Sequence, residues 1–214
     1  MMSGDVPKIG VVDYGGGNLQ SVLNGLKYLG HEGRLIDSPT DLDSVERLIF
    51  PGVGAFGDCV EDIDRKGLRD SLKGWLGEGR PFFGICLGYQ VLFEGSEESP
   101  DLEGLGFLAG TVKKFSPASG LKVPHMGWNT VSIRDRSLPV WSGLPADEDP
   151  HLYFVHSFYP DPEDDSVIGS TASYGVEFAS SVQVGDSIFA CQFHPERSQT
   201  VGLRLLKNFL DGAA

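Results

Sequence analysis

The sequence predicts a three-layer α/β fold, with a mostly parallel central sheet, helices on both faces, and antiparallel strands added in the second half. Three observations carry this. Up to about Phe93, short continuous apolar runs alternate with amphipathic stretches, the pattern of strands buried on both faces. Glycine- and proline-rich breaks punctuate these units. Beyond Val112, short β-rich pieces succeed one another with loops of Gly, Pro and Asp between them, which suits mixed and antiparallel pairing.

Ile9-Gly10-Val11-Val12 is the first buried run and ends at Asp13. Gly15-Gly16-Gly17 breaks it, Asn18 is placed to cap a helix, and Leu19, Val22, Leu23 and Leu26 recur at helical spacing up to Gly30. A second unit opens with Leu48-Ile49-Phe50, turns at Pro51 and its glycines, and continues as two helical stretches to about Gly79. Pro81 to Ile85 gives a third strand, with a helix expected from about Leu87 to Phe93. Strands are expected around Val112, Val131, Tyr153, Ile168, Phe178 and Ile188–Ala190, completing the same sheet. Leu203, Leu206 and Leu210 mark a closing helix from about Ser198 to Asp211. No repeat, linker or low-complexity tract interrupts the chain, so residues 1–214 read as one domain.

Composition narrows the function. Apolar residues make up 40% and charged residues 22%, ordinary for a folded chain. The net charge of -13, from 17 basic against 30 acidic residues, disfavours nucleic acid. Part of the excess sits in Asp147-Glu148-Asp149 and Glu163-Asp164-Asp165, which read as solvated acidic loops. No apolar run approaches the roughly 18 residues that span a bilayer. The opening MMSGDVPK lacks a signal-peptide pattern. Three cysteines, at 59, 86 and 191, have no CxxC spacing and suggest neither a disulfide framework nor a metal site. A reducing, cytoplasmic setting is the expectation.

Gly84-Ile85-Cys86-Leu87-Gly88 places a cysteine between glycines at a predicted strand-to-helix junction, the pattern of a nucleophile elbow. Small neighbours relieve a tight turn, the start of the next helix favours thiolate, and the Leu87 amide is left to donate to an oxyanion. The competing reading is a buried, inert cysteine. That reading is preferred for Cys59, within a predicted helix, and Cys191, within a strand, since neither has flanking glycines.

Gln192-Phe193-His194-Pro195-Glu196 comes after the strand around Ile188. Alternate residues of an extended segment face one side, so His194 and Glu196 can project together as base and orienting carboxylate for a thiol. His31, His125, His151 and His156 lack such a pairing and read as surface or core residues. Gly52-Val53-Gly54-Ala55-Phe56-Gly57 matches the dinucleotide-binding GxGxxG spacing. It lies on a later unit than that fingerprint, Pro51 enters its turn, and Asp70 and Glu78 fall in predicted helix. A loop whose bare amides approach an oxyanion is preferred.

Together these residues resemble the class I glutamine amidotransferase family, with its flavodoxin-like sheet. GICLGYQ (84–90) looks like the nucleophile segment and FHPE (193–196) like the His and Glu segment, in the family's order. More narrowly, DYGGGNLQSV (13–22), PGVGAF (51–56), VPHMGWN (123–129), YFVHSF (153–158) and QFHPERSQ (192–199) resemble the glutaminase subunits of imidazole glycerol phosphate synthase. Tyr89, Phe158 and Arg197 stand where Met, Tyr and Lys are frequent, and none touches the three chemical groups.

The resemblance implies a Cys86–His194–Glu196 triad and an oxyanion hole from backbone at Gly52, Val53, Gly54 and Leu87. It implies glutamine binding by Gln90 and Glu98, with Glu97 a neighbour that could compete. It implies no cofactor or metal. The expected partner is a (β/α)8 barrel cyclase in a one-to-one heterodimer, receiving ammonia for histidine biosynthesis. Asn18, Trp128, Asn129, Tyr153 and Arg197 are the candidates for its docking face. The glycine loop at 52–54 would act as the switch that the loaded cyclase throws. An amidotransferase serving another synthase, and a free-standing γ-glutamyl hydrolase, are the alternatives.

Overall fold

The structure is a computed structural model that describes residues 7–16, 18–116 and 121–212. The chain runs β1 (Ile9–Val12), α1 (Leu19–Tyr28), β2 (Gly33–Ile36), β3 (Arg47–Gly52), α2 (Phe56–Arg65), α3 (Arg69–Gly77), β4 (Phe82–Cys86) and α4 (Leu87–Gln90). It continues β5 (Phe93–Ser96), β6 (Leu108–Lys114), β7 (His125–Thr130), β8 (Ser132–Ile133), β9 (His151–His156) and β10 (Phe158–Pro162). It closes with β11 (Ile168–Ser173), β12 (Glu177–Val184), β13 (Ile188–Cys191) and α5 (Gln199–Leu210).

Eight strands form the main sheet in the order β2-β1-β3-β4-β13-β12-β11-β8. The first five are mutually parallel, and β12, β11 and β8 extend the sheet antiparallel. The strand period of two sends neighbours to opposite faces. Leu48, Phe50 and Phe82 pack with Phe56, Ile63, Leu72 and Trp75 of α2 and α3. Ile49, Phe83 and Ile85 pack on the other side with Val22 and Leu26 of α1 and Leu206 and Phe209 of α5. Each large apolar side chain buried this way contributes about 1.5–3 kcal/mol. The predicted three-layer architecture is therefore present.

Some elements differ from expectation. The strands near Val112 and Tyr153 do not complete the main sheet. β6 joins β10 and β5 in one small sheet, and β9 pairs antiparallel with β7 in another. Val131 lies between β7 and β8 rather than at the centre of a strand. The helix expected from Leu87 to Phe93 is the single turn of α4, because Val91 caps it and β5 begins at Phe93. Asn18 precedes α1 but makes no side-chain capping bond. Gly17 of the predicted break, and residues 1–6 of the opening segment, lie outside the described residues.

In a doubly wound sheet, ligands collect at the carboxyl ends of the strands near the reversal of strand order. Here β1 is flanked by β2 and β3, so the chain reverses there. Four segments leave that carboxyl edge: residues 13–16 after β1, 52–54 after β3, Cys86 at the end of β4, and 192–194 after β13. Gly52 is the register partner of Cys86, and Ile85 that of Cys191.

Candidate active site

Cys86 ends β4 with φ 54 and ψ −102, a left-handed conformation that a side-chain-bearing residue adopts only when the surroundings impose it. The imposing contact is α4 against β3. A Cβ at Gly88 would lie 1.8 Å from the Phe50 carbonyl oxygen, and one at Gly84 would lie 2.7 Å from the Gly88 oxygen. Only glycine permits this approach, and it turns the chain sharply enough to present the sulfur. With four residues, α4 has little dipole to offer the thiolate, so the sequence-based expectation of a helix-favoured sulfur is weakened. The Leu87 N–H, at the start of that turn, has no intrahelical acceptor.

His194 and Glu196 meet, but through a turn. His194 is extended, while Pro195–Arg197 form one 3-10 turn that swings the carboxylate back. The His194 Nδ1–H donates to Glu196 Oε1 at 2.9 Å, and both side chains are almost fully buried. The His194 backbone N–H donates to the Tyr153 carbonyl, and Ser198 Oγ donates to the His194 carbonyl. Burial alone lowers the pKa of His194; the charge and short-range interaction of Cys86, then Glu196, outweigh it and push it up to about 10. Among the described residues, no hydrogen bond of normal geometry joins His194 Nε2 to another residue, which leaves that atom for a reacting group. Cys59 and Cys191 are buried and their thiols are pushed up by that burial, so they stay protonated and inert.

A cleft of about 420 Å³ opens over Cys86, in the size range of small-molecule sites. Val53, Gly54, Leu87, Gln90, Glu98, His156, Phe158 and Arg197 are among its lining residues. Glu98, not Glu97, faces it. Glu97 accepts from the Lys114 N–H on β6, whereas Glu98 Oε2 accepts from Phe56 N–H at 2.7 Å and so caps α2. Val53 is less available than expected. The Tyr14 hydroxyl accepts from the Val53 N–H at 3.2 Å and donates to the Val53 carbonyl at 3.1 Å. Burial raises the pKa of Tyr14, so the hydroxyl keeps its proton.

Of the docking candidates, Trp128, Tyr153 and Arg197 come together. Trp128 is 48% exposed and meets the Tyr153 ring edge-on at 6.1 Å, and the Arg197 guanidinium lies 4.8 Å over the same ring. Asn129 faces the other side of β7, where its amide donates to the Ser173 carbonyl and to His125. Asn18 is exposed at the carboxyl edge of the sheet, ahead of α1.

Three site-forming features escaped the sequence reading: the Tyr14 clamp, Gln192, and the buried His125–His156 pair. Gln192 shares the period-two spacing of His194 and Glu196, a signal that was legible. The histidine pair had none, because its rings come from strands 31 residues apart. Burial, first of all, lowers His125 to about 4 and His156 to about 3. Both rings are neutral in the fold and charged in the unfolded chain at pH 5. The unfolded chain thus binds more protons, and stability present above about pH 6.5 is lost as pH falls towards 4 and then 3. The unfolding free energy from urea titrations is expected to fall between pH 7 and 5, by up to about 2 kcal/mol per ring at pH 5. The slope should flatten in the His125→Phe, His156→Leu double variant.

A strained cysteine at a β-strand end, a buried His–Glu pair and a cleft over the cysteine, on a doubly wound sheet, are the groups that a thiol-dependent acyl transfer requires. The chain belongs to the class-I glutamine amidotransferase family, whose description, "Glutamine amidotransferase class-I", matches residues 10–213. It is 43% identical over 206 residues to the imidazole glycerol phosphate synthase subunit HisH of Acaryochloris marina, covering 96% of this chain and 95% of that one. It is 45% identical over 206 residues to the subunit of the same description from Syntrophotalea carbinolica, covering 94% and 98%. Its fold is similar to that in "Structure of PurLQS from Thermotoga maritima", with TM-score 0.74, 21% identity, and coverage of 96% and 98%.

Proposed function

We propose that this chain is the glutaminase subunit of an imidazole glycerol phosphate synthase, a single domain working in the cytoplasm beside a barrel cyclase. The observation that supports it most is the strained Cys86 at a glutamine-sized cleft, close enough to the buried, Glu196-bonded His194 to hold a proton on that ring. Cys86 attacks the side-chain carboxamide of glutamine. The Leu87 N–H and an amide of the 52–54 loop receive the oxyanion. His194 hands its proton to the departing amine, which leaves as ammonia, and Cys86 is held as a thioester. His194 then takes a proton from water as it attacks the thioester, releasing glutamate and the thiolate. Glu196 keeps the imidazole turned with Nε2 towards the reacting atoms. Gln90 and Glu98 bind the amino-acid end of glutamine, Glu98 through the carboxylate oxygen that does not cap α2.

The docking face is read as Trp128, Tyr153 and Arg197, where an exposed tryptophan, a half-buried tyrosine and a guanidinium form one patch beside the cleft. Tyr153 also bears on catalysis, since its carbonyl holds the His194 N–H. Asn18, exposed ahead of α1, is kept as a further candidate, whereas Asn129 faces away from that patch and is bonded to Ser173 and His125. The cyclase takes the ammonia, and its nucleotide ligand gates the hydrolysis through the 52–54 loop. In the unpartnered chain, Tyr14 holds the Val53 N–H away from duty as an oxyanion donor. Tyr14→Phe keeps the ring and removes this clamp. Its glutamine hydrolysis without partner is expected to rise by about 10-fold, with a smaller stimulation on docking.

Glutamate release decides the reading. The purified chain alone is expected to be nearly silent. A large stimulation by an imidazole glycerol phosphate synthase cyclase with its nucleotide supports the assignment. Strong turnover without partner would instead identify a free-standing hydrolase, and silence in both states a different synthase.

A further inference from the structure

A chain of hydrogen bonds runs from the docking strand β7 to the nucleophile, and the polarity of each link is fixed. The Phe158 carbonyl can only accept, so His156 carries its proton on Nδ1, 2.7 Å away. His156 is buried and neutral, and its Nε2 must therefore accept. The donor is the His125 Nδ1–H at 2.9 Å. His125 Nε2 then accepts from the Asn129 amide at 3.3 Å. From the other side, the Gln90 amide nitrogen donates to the same Phe158 carbonyl at 3.1 Å and to Gln192 Oε1 at 3.0 Å. Both amide protons of Gln90 are thus committed, and only its oxygen remains for substrate. Gln192 accepts at Oε1 and donates from Nε2 to Cys86 Sγ at 3.4 Å. A flipped Gln192 would set two N–H groups together and turn an oxygen towards the sulfur.

We infer that Gln192 is a positioning residue for the Cys86 sulfur, held in its one productive orientation by the chain Asn129–His125–His156–Phe158 carbonyl–Gln90. Its amide gives a thiolate a fixed donor, where the short α4 gives little. Gln192 is fully buried and is not among the residues lining the cleft. It acts through Cys86. The inference rests on Cys86 being the nucleophile of the proposed glutaminase.

The experiment is the pH profile of Cys86 alkylation by iodoacetamide in the full chain, read by peptide mass spectrometry with buried Cys59 and Cys191 as references. Gln192→Leu is expected to move the midpoint up by about one to two pH units, and the isosteric Gln192→Glu by at least as much. Gln192→Glu still accepts from Gln90, so it keeps the test alive if Gln192→Leu does not fold. His156→Leu, which releases the Phe158 carbonyl, is expected to shift the profile in the same direction. His156→Asn restores a donor at the Nδ1 position and is expected to recover most of the shift. The His156→Leu, Gln192→Leu double variant should shift no further than Gln192→Leu alone, as for members of one network. Turnover with the cyclase should show kcat reduced about 10- to 100-fold in Gln192→Leu, with KM within about threefold. Superimposable wild-type and Gln192 profiles, or additive shifts in the double variant, would overturn the inference. Alkylation needs neither glutamine nor partner. A wild type that never hydrolyses glutamine would therefore overturn the proposed function and leave the profiles to decide the chain.

Discussion

Glutamine hydrolysis by the Cys86→Ala variant, measured with the loaded cyclase, is expected to fall by roughly 10⁴-fold or more while the chain stays folded. The size of the loss comes from the chemistry. Without the sulfur no thioester forms, and the remaining groups can only orient water. The fold should survive because alanine leaves Gly84 and Gly88, which shape the elbow, in place. The same variant has a second readout. Cys86 is the foremost influence raising His194 against the depressing effect of burial. With it gone, Glu196 alone opposes burial, and the His194 titration is expected to move well down from about 10. Imidazole nitrogen shifts recorded by NMR between pH 5 and 11 would show this. A titration that stayed in place would mean that Glu196, not the sulfur, holds the proton on the ring.

Gly88→Ala is expected to be the most destructive glycine-to-alanine change among the described residues. The added carbon would sit 1.8 Å from the Phe50 oxygen, 2.8 Å from its carbonyl carbon and 3.2 Å from its Cβ. Those atoms belong to β3, in the middle of the parallel sheet, and a backbone carbonyl there has no rotamer in which to retreat. Either α4 lifts from β3, dragging Cys86 and the Leu87 N–H with it, or β3 shifts against its neighbours. We expect a loss of about 3 kcal/mol or more in urea unfolding, with hydrolysis lost even where folding is rescued by cooling. Gly74→Ala is a control, since nothing lies within 4 Å of a Cβ there. A Gly88→Ala variant of wild-type stability and activity would show that the elbow is looser than this contact requires.

Much of the fold was legible because burial writes itself into spacing. Leu48-Ile49-Phe50 and the 82–86 run alternate between two core faces, and Phe56, Cys59, Val60 and Ile63 repeat at helical intervals. β2 escaped notice because it is an edge strand with one buried residue, Ile36, in four. β5 was absorbed into an expected helix, since its apolar start continues the α4 pattern without a break. Strand existence near Val112 and Tyr153 was readable, but the choice of sheet was not. An apolar strand records that it is covered, not by which neighbour.

The site divides in the same way. The sequence by itself determined the doubly wound architecture, the glycine-flanked cysteine at a strand end, and the His-x-Glu pair two residues apart. Each of these is a local pattern, fixed by neighbours in the chain. Only the tertiary structure decided that Tyr14 grips Val53, that Glu98 rather than Glu97 faces the cleft, and that Gln192 reaches Cys86. The physical reason is the range of the interactions. A turn or a helix is settled by residues a few positions apart, whereas the partner of a buried amide or imidazole is chosen by packing that brings distant strands together. A polar residue in the sequence states that a partner is needed, and the fold selects it.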